Sequence, residues 1–440
     1  MKKLQYLWDE LNSSFWFIPM LMLLVTMGLA TGFIYLDSHI QYSPDGVFKY
    51  LLPASVDSAR NILGIIAGAM IGIAGTVFSI TLVVLTLASS QLGSRLVRKF
   101  MYDKLNQIVL GTYVSSFVYC LIILNSISEN EGFHFVPAIS VFAALASAIA
   151  GIILLVIFIH HVSMSIQSDK VISDISDAMS KSIRKLFPEE IGHDEEKPTP
   201  DMNVLQKQYA CKQDVKCSKS GYLQSVDGDG LLGIAQENDC IIILHHRPGD
   251  YLVQNMILCE VLCNEKCSEE IHEKIQDDFI IGKVRTPLQD AEFSIHQMVE
   301  VASRALSPGV NDPYTAIACI DNLTSVICYL TKAKFPSPYR CDPDNKLRVI
   351  ADNHTFEGMM NAAFNQIRQY AEGSPSVMIR LMEAMNTIST FARNKKQQEL
   401  IVQHAEMIMK ASEKSFSEKR DLEDIKERYK TLKERNLLNE

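Results

Sequence analysis

Four long segments of the chain contain no Asp, Glu, Lys or Arg, and this feature limits the possible folds more than any other. They lie between Glu10 and Asp37, Arg60 and Arg95, Lys104 and Glu129, and Glu131 and Asp169. Each is long enough for a helix that crosses a hydrocarbon core of about 30 Å, which takes roughly 20 residues. A helix also satisfies its own backbone hydrogen bonds, as lipid requires. The sequence therefore predicts four transmembrane helices, near residues 15–36, 62–88, 107–127 and 138–160.

The basic residues that flank these segments predict the orientation of the chain. Ten Lys and Arg residues lie in the N-terminal flank, in the second loop and directly after the fourth span, against two in the other two loops. Basic residues are enriched in the cytoplasmic flanks and short loops of membrane proteins. We therefore expect both termini, and everything after the fourth span, in the cytoplasm.

The chain after the fourth span is richer in charge and predicts a cytoplasmic α+β portion. We expect a transmembrane domain over 1–165, an amphipathic stalk helix and linker over 166–208, a small β module over 209–267 and a helical domain over 268–440. Short β-rich runs separated by Gly and Asp predict the β module, which resembles part of a barrel-sandwich domain. The expected fold class is an α-helical membrane protein with four transmembrane helices and a cytoplasmic portion, made of a small β barrel-like module plus a helical bundle.

Charge and motifs argue against several classes of function. The formal net charge of −9 argues against nucleic-acid binding. The chain has no P-loop, no G-x-G-x-x-G after a strand, no G-x-S-x-G and no H-E-x-x-H, so we expect neither an enzyme nor a cofactor. Cys259, Cys263 and Cys267 recur every four residues, which is not a zinc pattern, and no metal site is expected. Spans without charged side chains also argue against a proton-coupled transporter.

The second predicted span carries a regular stripe of small residues. Consecutive members are three or four residues apart, which places them on one face of a helix. The stripe consists of Gly64, Gly68, Gly72, Gly75, Ser79, Val83, Thr86 and Ser90. Small residues let helices approach closely in lipid, so one interpretation is a helix-packing seam. Hydroxyls can also replace part of the hydration shell of an ion, so the other interpretation is a pore lining in a symmetric oligomer.

Three polar residues follow the stripe, at the end predicted to face the cytoplasm. They are Gln91, Arg95 and Arg98. In an oligomer the two arginines would form a positive ring at the cytoplasmic mouth of a pore. Alternatively, they only mark the topology of the span.

A second candidate site surrounds the segment RALSPGVNDPYTA, residues 304–316. Ser-Pro-Gly predicts the end of one helix, and Asn311 or Asp312 ahead of Pro313 predicts the start of the next. A polar cluster at a helix N-terminus can bind an anion, whereas the alternative is a rigid corner in which Asp312 only caps the helix. The candidate residues are Arg285, Gln289, Asp290, Arg304, Ser307, Asn311 and Asp312.

Several blocks of the sequence together resemble a known family. FSITLVVLTLASSQLGSRLVRKF is followed by GYLQSV, HHRPGDYLV, RTPLQDAEF and RALSPGVNDPYTA, in this order. They are similar to the signature blocks of an uncharacterised bacterial membrane protein family, domain of unknown function 2254. The resemblance implies a multi-pass inner-membrane protein with a cytoplasmic domain, and it implies no activity, cofactor or catalytic residue.

These observations favour one functional hypothesis over another. The first is a homo-oligomeric membrane channel or passive transport protein, in which the second span lines the conduction path and the cytoplasmic domain is regulatory. Its partners would be the lipid bilayer, further copies of the chain and a small ion or anionic ligand. The alternative is a membrane-anchored scaffold or sensor, whose cytoplasmic domain binds a ligand or partner while the spans serve only for assembly.

Overall fold

The structure is a computed structural model, which describes residues 15–39, 55–91, 103–130, 133–165, 167–188, 205 and 208–438. The chain divides into two compact units, Met1–Val171 and Ile172–Glu440. The first unit consists mainly of long apolar helices, and the second combines short strands with helices.

Four helices of the first unit are long and apolar enough to cross a membrane, which confirms the four predicted spans. They are α1 (Phe17–His39), α2 (Val56–Gln91), α3 (Lys104–Ser126) and α4 (Ala138–Ser165). A short antiparallel hairpin, β1 (Ser128–Asn130) and β2 (Phe133–Phe135), lies between α3 and α4. With 36 residues, α2 is about 54 Å long at ~1.5 Å per residue, well beyond the hydrocarbon thickness of about 30 Å.

Helix α3 makes the most extensive contacts in the membrane unit, and it packs against α1, α2 and α4. Two tyrosines on α3 hold α4 through backbone carbonyls: the Tyr113 hydroxyl donates to the Gly151 oxygen at 2.6 Å, and the Tyr119 hydroxyl donates to the Ser140 oxygen at 3.0 Å. On the other side, Gly111 lets α1 approach closely, since a Cβ there would lie 3.1 Å from the Pro19 Cα. Buried polar hydrogen bonds and close backbone approach thus fix the bundle, as is usual in lipid.

Two carboxylates hold helix ends together in this unit. Asp37, near the end of α1, accepts hydrogen bonds from the backbone N–H groups of Ile139 and Ser140, both at 3.0 Å, and so caps α4. Asp103 caps α3 by accepting from the N–H of Leu105, and its other oxygen lies 2.6 Å from His161 Nε2 on α4. Free N–H groups at helix N-termini favour such carboxylates.

The second unit begins within α5 (Ser168–Leu186) and contains two sheets. The five-stranded sheet has the order β3 (Cys211–Lys216), β7 (Ile257–Cys263), β5 (Ile241–Leu244), β10 (Leu347–Ile350) and β9 (Tyr339–Cys341). The three-stranded sheet has the order β6 (Tyr251–Leu252), β4 (Gly221–Val226) and β8 (Phe279–Gly282). Only the β5–β10 pair is parallel among these described strands. Side chains of both sheets share a buried core with α6 (Gly228–Glu237) and α7 (Glu269–Asp277).

The sheets correct the prediction of a barrel-like module. Among the described residues 208–438, neither sheet closes, and both keep two edge strands. The predicted helical part after residue 267 also supplies three strands, β8, β9 and β10. The prediction missed them because each has only three or four residues, too few for a period of two to be visible.

The remaining helices pack into one bundle. They are α8 (Ala291–Ala305), α9 (Pro313–Leu330), α10 (Phe356–Tyr370), α11 (Pro375–Phe391), α12 (Lys395–Ser415) and α13 (Lys419–Leu438). Helix α8 packs on α9 and α10, while α11 contacts α9, α12 and α13. The unit is therefore a mixed α and β assembly whose helical part is the larger.

Candidate functional site

The small-residue stripe of α2 lies on the side of the helix opposite its packed face. All eight stripe residues are exposed in the single chain. The packed face, which is buried against the other helices of the unit, includes Leu63, Met70, Val77 and Val84. At about 100° per residue these two sets point in opposite directions. Among the described residues, the stripe therefore lies away from the face on which α2 packs against its own chain.

The glycines of the stripe stand in open space. A Cβ added at Gly64, Gly68, Gly72 or Gly75 would meet no atom within 4 Å, outside the backbone of its own helix, among the residues that the structure describes. Gly111 on α3 behaves differently, since a Cβ there would lie 2.7 Å from the Met22 Sδ. Close packing within the chain thus accounts for Gly111 and not for the four glycines of α2.

The hydroxyls of this part of α2 donate to their own helix. Thr86 Oγ1 donates to the Leu82 oxygen at 2.9 Å, and Ser90 Oγ donates to the Leu87 oxygen at 3.0 Å. The bond of Thr86 satisfies its donor and leaves lone pairs of its hydroxyl oxygen available to a further partner. Gln91 ends α2, while Arg95 and Arg98, the other residues of the predicted mouth, lie outside the described residues.

The predicted polar corner separates into two clusters. The first, with Arg285, Gln289 and Asp290, lies at the start of α8. The second, with Arg304, Ser307, Asn311 and Asp312, lies in the last turn of α8 and in the connection to α9. Helix α8 has 15 residues and is about 22 Å long, so one small ligand cannot contact both clusters. The structure therefore does not bring these seven residues together.

Asp290 is the centre of the first cluster and is 1% exposed. It caps α8 by accepting from the N–H of Phe293 at 3.1 Å, and it pairs with Arg285, whose Nε lies 2.8 Å from its Oδ2. The turn of the RPGD block lies against this pair, because a Cβ at Gly249 would meet the Asp290 Oδ2 at 2.6 Å. Gly249 also has φ +107°, which favours glycine.

Further contacts close the first cluster on itself. Arg247 pairs with Glu292 at 2.8 Å, and His354 Nδ1 lies 3.6 Å from the same carboxylate oxygen. Burial opposes the ionisation of Glu292, but its contact with His354 and the charge of Arg247 outweigh burial and lower its pKa. Gln289 exchanges two hydrogen bonds with the backbone of Val226 at the end of β4. The GYLQSV, HHRPGDYLV and RTPLQDAEF blocks thus meet in one internally paired cluster.

The second cluster is a helix corner. Asn311 has φ +50°, and the N–H of Asp312 donates to the Ala305 oxygen at 2.7 Å. Asp312 caps α9, since it accepts from the N–H and the hydroxyl of Thr315 at 3.1 and 2.6 Å. The hydrogen bond from the Thr315 hydroxyl is the main reason why the pKa of Asp312 is lowered. These contacts supply a structural role for Asp312.

Sequence reasoning missed several members of the first cluster. Arg247, Gly249, Glu292 and His354 come from three separate segments, and only the fold brings them to Asp290. The cysteines of β7 are buried strand residues, and burial raises the pKa of Cys259 to about 12. That thiol is therefore protonated at neutral pH.

Comparisons with known proteins support the resemblance of the sequence blocks. A family described as "Predicted membrane protein (DUF2254)" matches residues 12–387. The chain is 28% identical over 418 residues to the uncharacterized protein Mb1321c of Mycobacterium bovis, covering 94% of this chain and 79% of the relative. Identity and coverage are the same for the uncharacterized protein Rv1290c of Mycobacterium tuberculosis. No solved structure matches. Because the family match covers most of its length, the chain belongs to the family of predicted membrane proteins called domain of unknown function 2254.

Proposed function

We propose that this protein is a homo-oligomeric membrane channel or passive transport protein in which α2 lines the conduction path. The observation that carries the proposal is the outward-facing stripe of α2, whose glycines have open space around them. In this proposal the C-terminal unit is regulatory.

The first step is from the stripe to an oligomer. Lipid tails need no close approach to a helix backbone, whereas small residues are enriched where two membrane helices meet. The helices of the same chain pack on the opposite side of α2, against Leu63, Met70 and Val77. A second copy of the chain is the simplest partner for the stripe, and most homo-oligomers are closed and symmetric. The α2 helices would then surround a symmetry axis.

The second step is from the oligomer to conduction. Ser79, Thr86 and Ser90 would face the axis, and the Thr86 hydroxyl keeps acceptor lone pairs after donating to its own helix. Such oxygens can replace part of the hydration shell of a small ion. The stripe carries no formal charge, so the path avoids the cost of a charged group in the bilayer.

The alternative function is a membrane-anchored scaffold or sensor. The same stripe would then be a packing seam between copies, and the ligand or partner would bind to the C-terminal unit. The hydrogen bonds of Thr86 and Ser90 within their own helix agree with this alternative, because a seam needs no free donors.

Ion flux into liposomes that contain the purified full-length protein distinguishes these functions. The channel proposal expects flux of small ions at voltages of either sign, and Ser79→Phe should reduce it at least tenfold. Phe78→Leu is the matched control, because the neighbouring Phe78 lies off the stripe. If the purified oligomers pass no small ion at any voltage, the membrane-anchored scaffold or sensor is the better explanation.

We also propose that both termini lie in the cytoplasm and that the membrane is the bacterial inner membrane. The ten flanking basic residues against two support this orientation. Reporters fused after Lys104 and after Glu440 should both give a cytoplasmic signal, and one near Ser43 should give a periplasmic signal. A periplasmic signal from the C-terminal fusion would contradict the orientation.

A further inference from the structure

A cleft in the C-terminal unit is distinct from both predicted sites. Its volume is about 600 Å³, and it opens between α5, α9 and α11. This size falls in the range of roughly 300–1,000 Å³ that is typical of small-molecule sites. Its charged and aromatic lining includes Arg184, Tyr329, Lys332, Arg380, Glu383 and Phe391.

Two cations of the cleft rest on aromatic rings. The Arg184 Cζ lies 4.5 Å from the centroid of the Tyr329 ring, and the Lys332 Nζ lies 4.9 Å from that of Phe391. The Tyr329 ring is held in place because its hydroxyl donates to the Phe187 oxygen at 2.8 Å. Among the described residues, neither Arg184 nor Lys332 has a carboxylate partner. Ring contacts of this kind position a cation without neutralising its charge.

The third cation of the cleft is neutralised. Arg380 forms a two-point contact with Asp321, at 2.6 and 2.7 Å, and its third nitrogen lies 2.8 Å from Glu383. Hydrogen bonds with Asp321 and Glu383 raise the pKa of Arg380. Burial opposes the ionisation of Glu383, but its contacts with Arg380 and Arg428 outweigh burial and lower its pKa. Both carboxylates of the cleft are therefore paired with Arg380, and Arg184 and Lys332 give the cleft its net positive charge.

The rest of the lining suits an organic ligand with an apolar part. Cys328 and Ala384 are buried and apolar, while Ser325 and Thr387 add exposed hydroxyl groups. The Phe391 ring is 39% exposed, so a flat ring can stack beside it. A net positive cleft is unusual on a chain whose net charge is −9, and guanidinium and ammonium groups are the usual ligands of phosphate.

From this arrangement we propose that the cleft binds a small organic phosphate, with Arg184 and Lys332 contacting the phosphate and the apolar lining contacting the organic part. Free nucleotides and anionic lipid headgroups both carry this chemistry. Arg184 lies on α5, which starts three residues after the last residue of α4. A ligand that contacts both cations therefore ties the helix following the last span to α9 and α11, which makes it a candidate regulator. Binding itself does not depend on the proposed channel.

Isothermal titration of the full-length protein in detergent tests the proposal, with ATP and AMP as free nucleotides and a short-chain phosphatidylglycerol as the lipid probe. We expect saturable binding of at least one probe, and inorganic phosphate should compete with it. Binding of a nucleotide alone identifies a soluble ligand, and binding of the lipid alone identifies a headgroup. If no probe binds up to millimolar concentration, the proposal is wrong.

Variants assign the binding to the cleft. Arg184→Gln combined with Lys332→Gln should weaken binding at least tenfold. Arg184→Lys keeps the positive charge and should therefore retain part of the affinity that Arg184→Gln loses. Lys185→Gln is the matched control, because Lys185 is exposed on the same helix and does not line the cleft. Unchanged affinity in the double variant, or an equal loss in the control, would contradict the assignment.

Discussion

The stripe on α2 and Asp290 both belong to candidate sites predicted from sequence, yet the surroundings of the stripe differ from those of the Asp290 cluster. Every charged group discussed in the Asp290 cluster has an opposite charge or a backbone partner within the same unit. The stripe has no contact within its own chain at any of its four glycines, as far as the described residues extend. The paired charges of the cluster are explained by stability, whereas for a surface that is suited to close packing and left unpacked we propose a second copy of the chain as the partner.

The largest effect is expected from leucine at the glycines. Gly72→Leu should leave the single chain folded, because the new side chain meets only open space within the chain. It should abolish the oligomer, because the α2 helices of two copies could no longer approach closely. Gly111→Leu should instead impair folding, because even a Cβ would lie 3.1 Å from the Pro19 Cα. Light scattering of the protein in detergent gives the mass, and its thermal unfolding gives the stability. If Gly72→Leu still formed the oligomer, the stripe would not be the surface that joins the copies, and its contrast with the Asp290 cluster would be lost.

The next effect is expected at Asp290. Asp290→Ala should lower the free energy of unfolding by about 3–5 kcal/mol, because it leaves the largely buried Arg285 without its carboxylate partner. Chemical unfolding of the full-length protein measures this loss. Asp290→Asn keeps a cap for α8 and should lose less. If Asp290→Ala were as stable as the wild type, the cluster would not have the structural role assigned to it.

A smaller effect is expected at Asp312. Asp312→Ala should cost about 0.5–2 kcal/mol, while Asp312→Asn and Asp312→Ser should cost little, since both are good caps. A variant Asp312→Asn that folds normally but loses function or ligand binding would show that Asp312 does more than cap α9. Equal function of this variant and the wild type supports the cap.

The pH dependence of the Asp312 cap is the smallest effect. The folded-state pKa of this carboxyl lies below its ordinary value of 3.8, so its ionised form stabilises the fold above that pH. The contribution is lost as the pH falls through the lowered pKa. Any advantage of the wild type over Asp312→Asn in thermal unfolding should therefore shrink below about pH 3.8. An advantage that grows in acid would contradict the assigned contacts.

The sequence predicted what local patterns determine. Four long segments without Asp, Glu, Lys or Arg predicted the four membrane-spanning helices, and Asp312 followed by Pro313 predicted the start of α9. The pairing of β10 with β5 was not predicted, because the two strands lie about a hundred residues apart and no local pattern records such a contact. For the same reason the sequence could not show that Gly249 lies against Asp290, or that Arg184 and Lys332 line one cleft.

The central claim is that the stripe of α2 faces a water-filled axis between copies of the chain. Three consecutive residues test it at one depth: Val77 faces the core of its own chain, Phe78 lies off the stripe and Ser79 lies on it. Each is replaced singly by cysteine in a background that lacks Cys120 and the partly exposed Cys211, Cys267 and Cys341, and a small water-soluble thiol reagent is applied to the protein in membranes. The account predicts labelling of Ser79→Cys alone, with Val77→Cys and Phe78→Cys protected. A Ser79→Cys variant that stays unreactive in the folded oligomer would contradict the channel and leave the stripe as a packing seam.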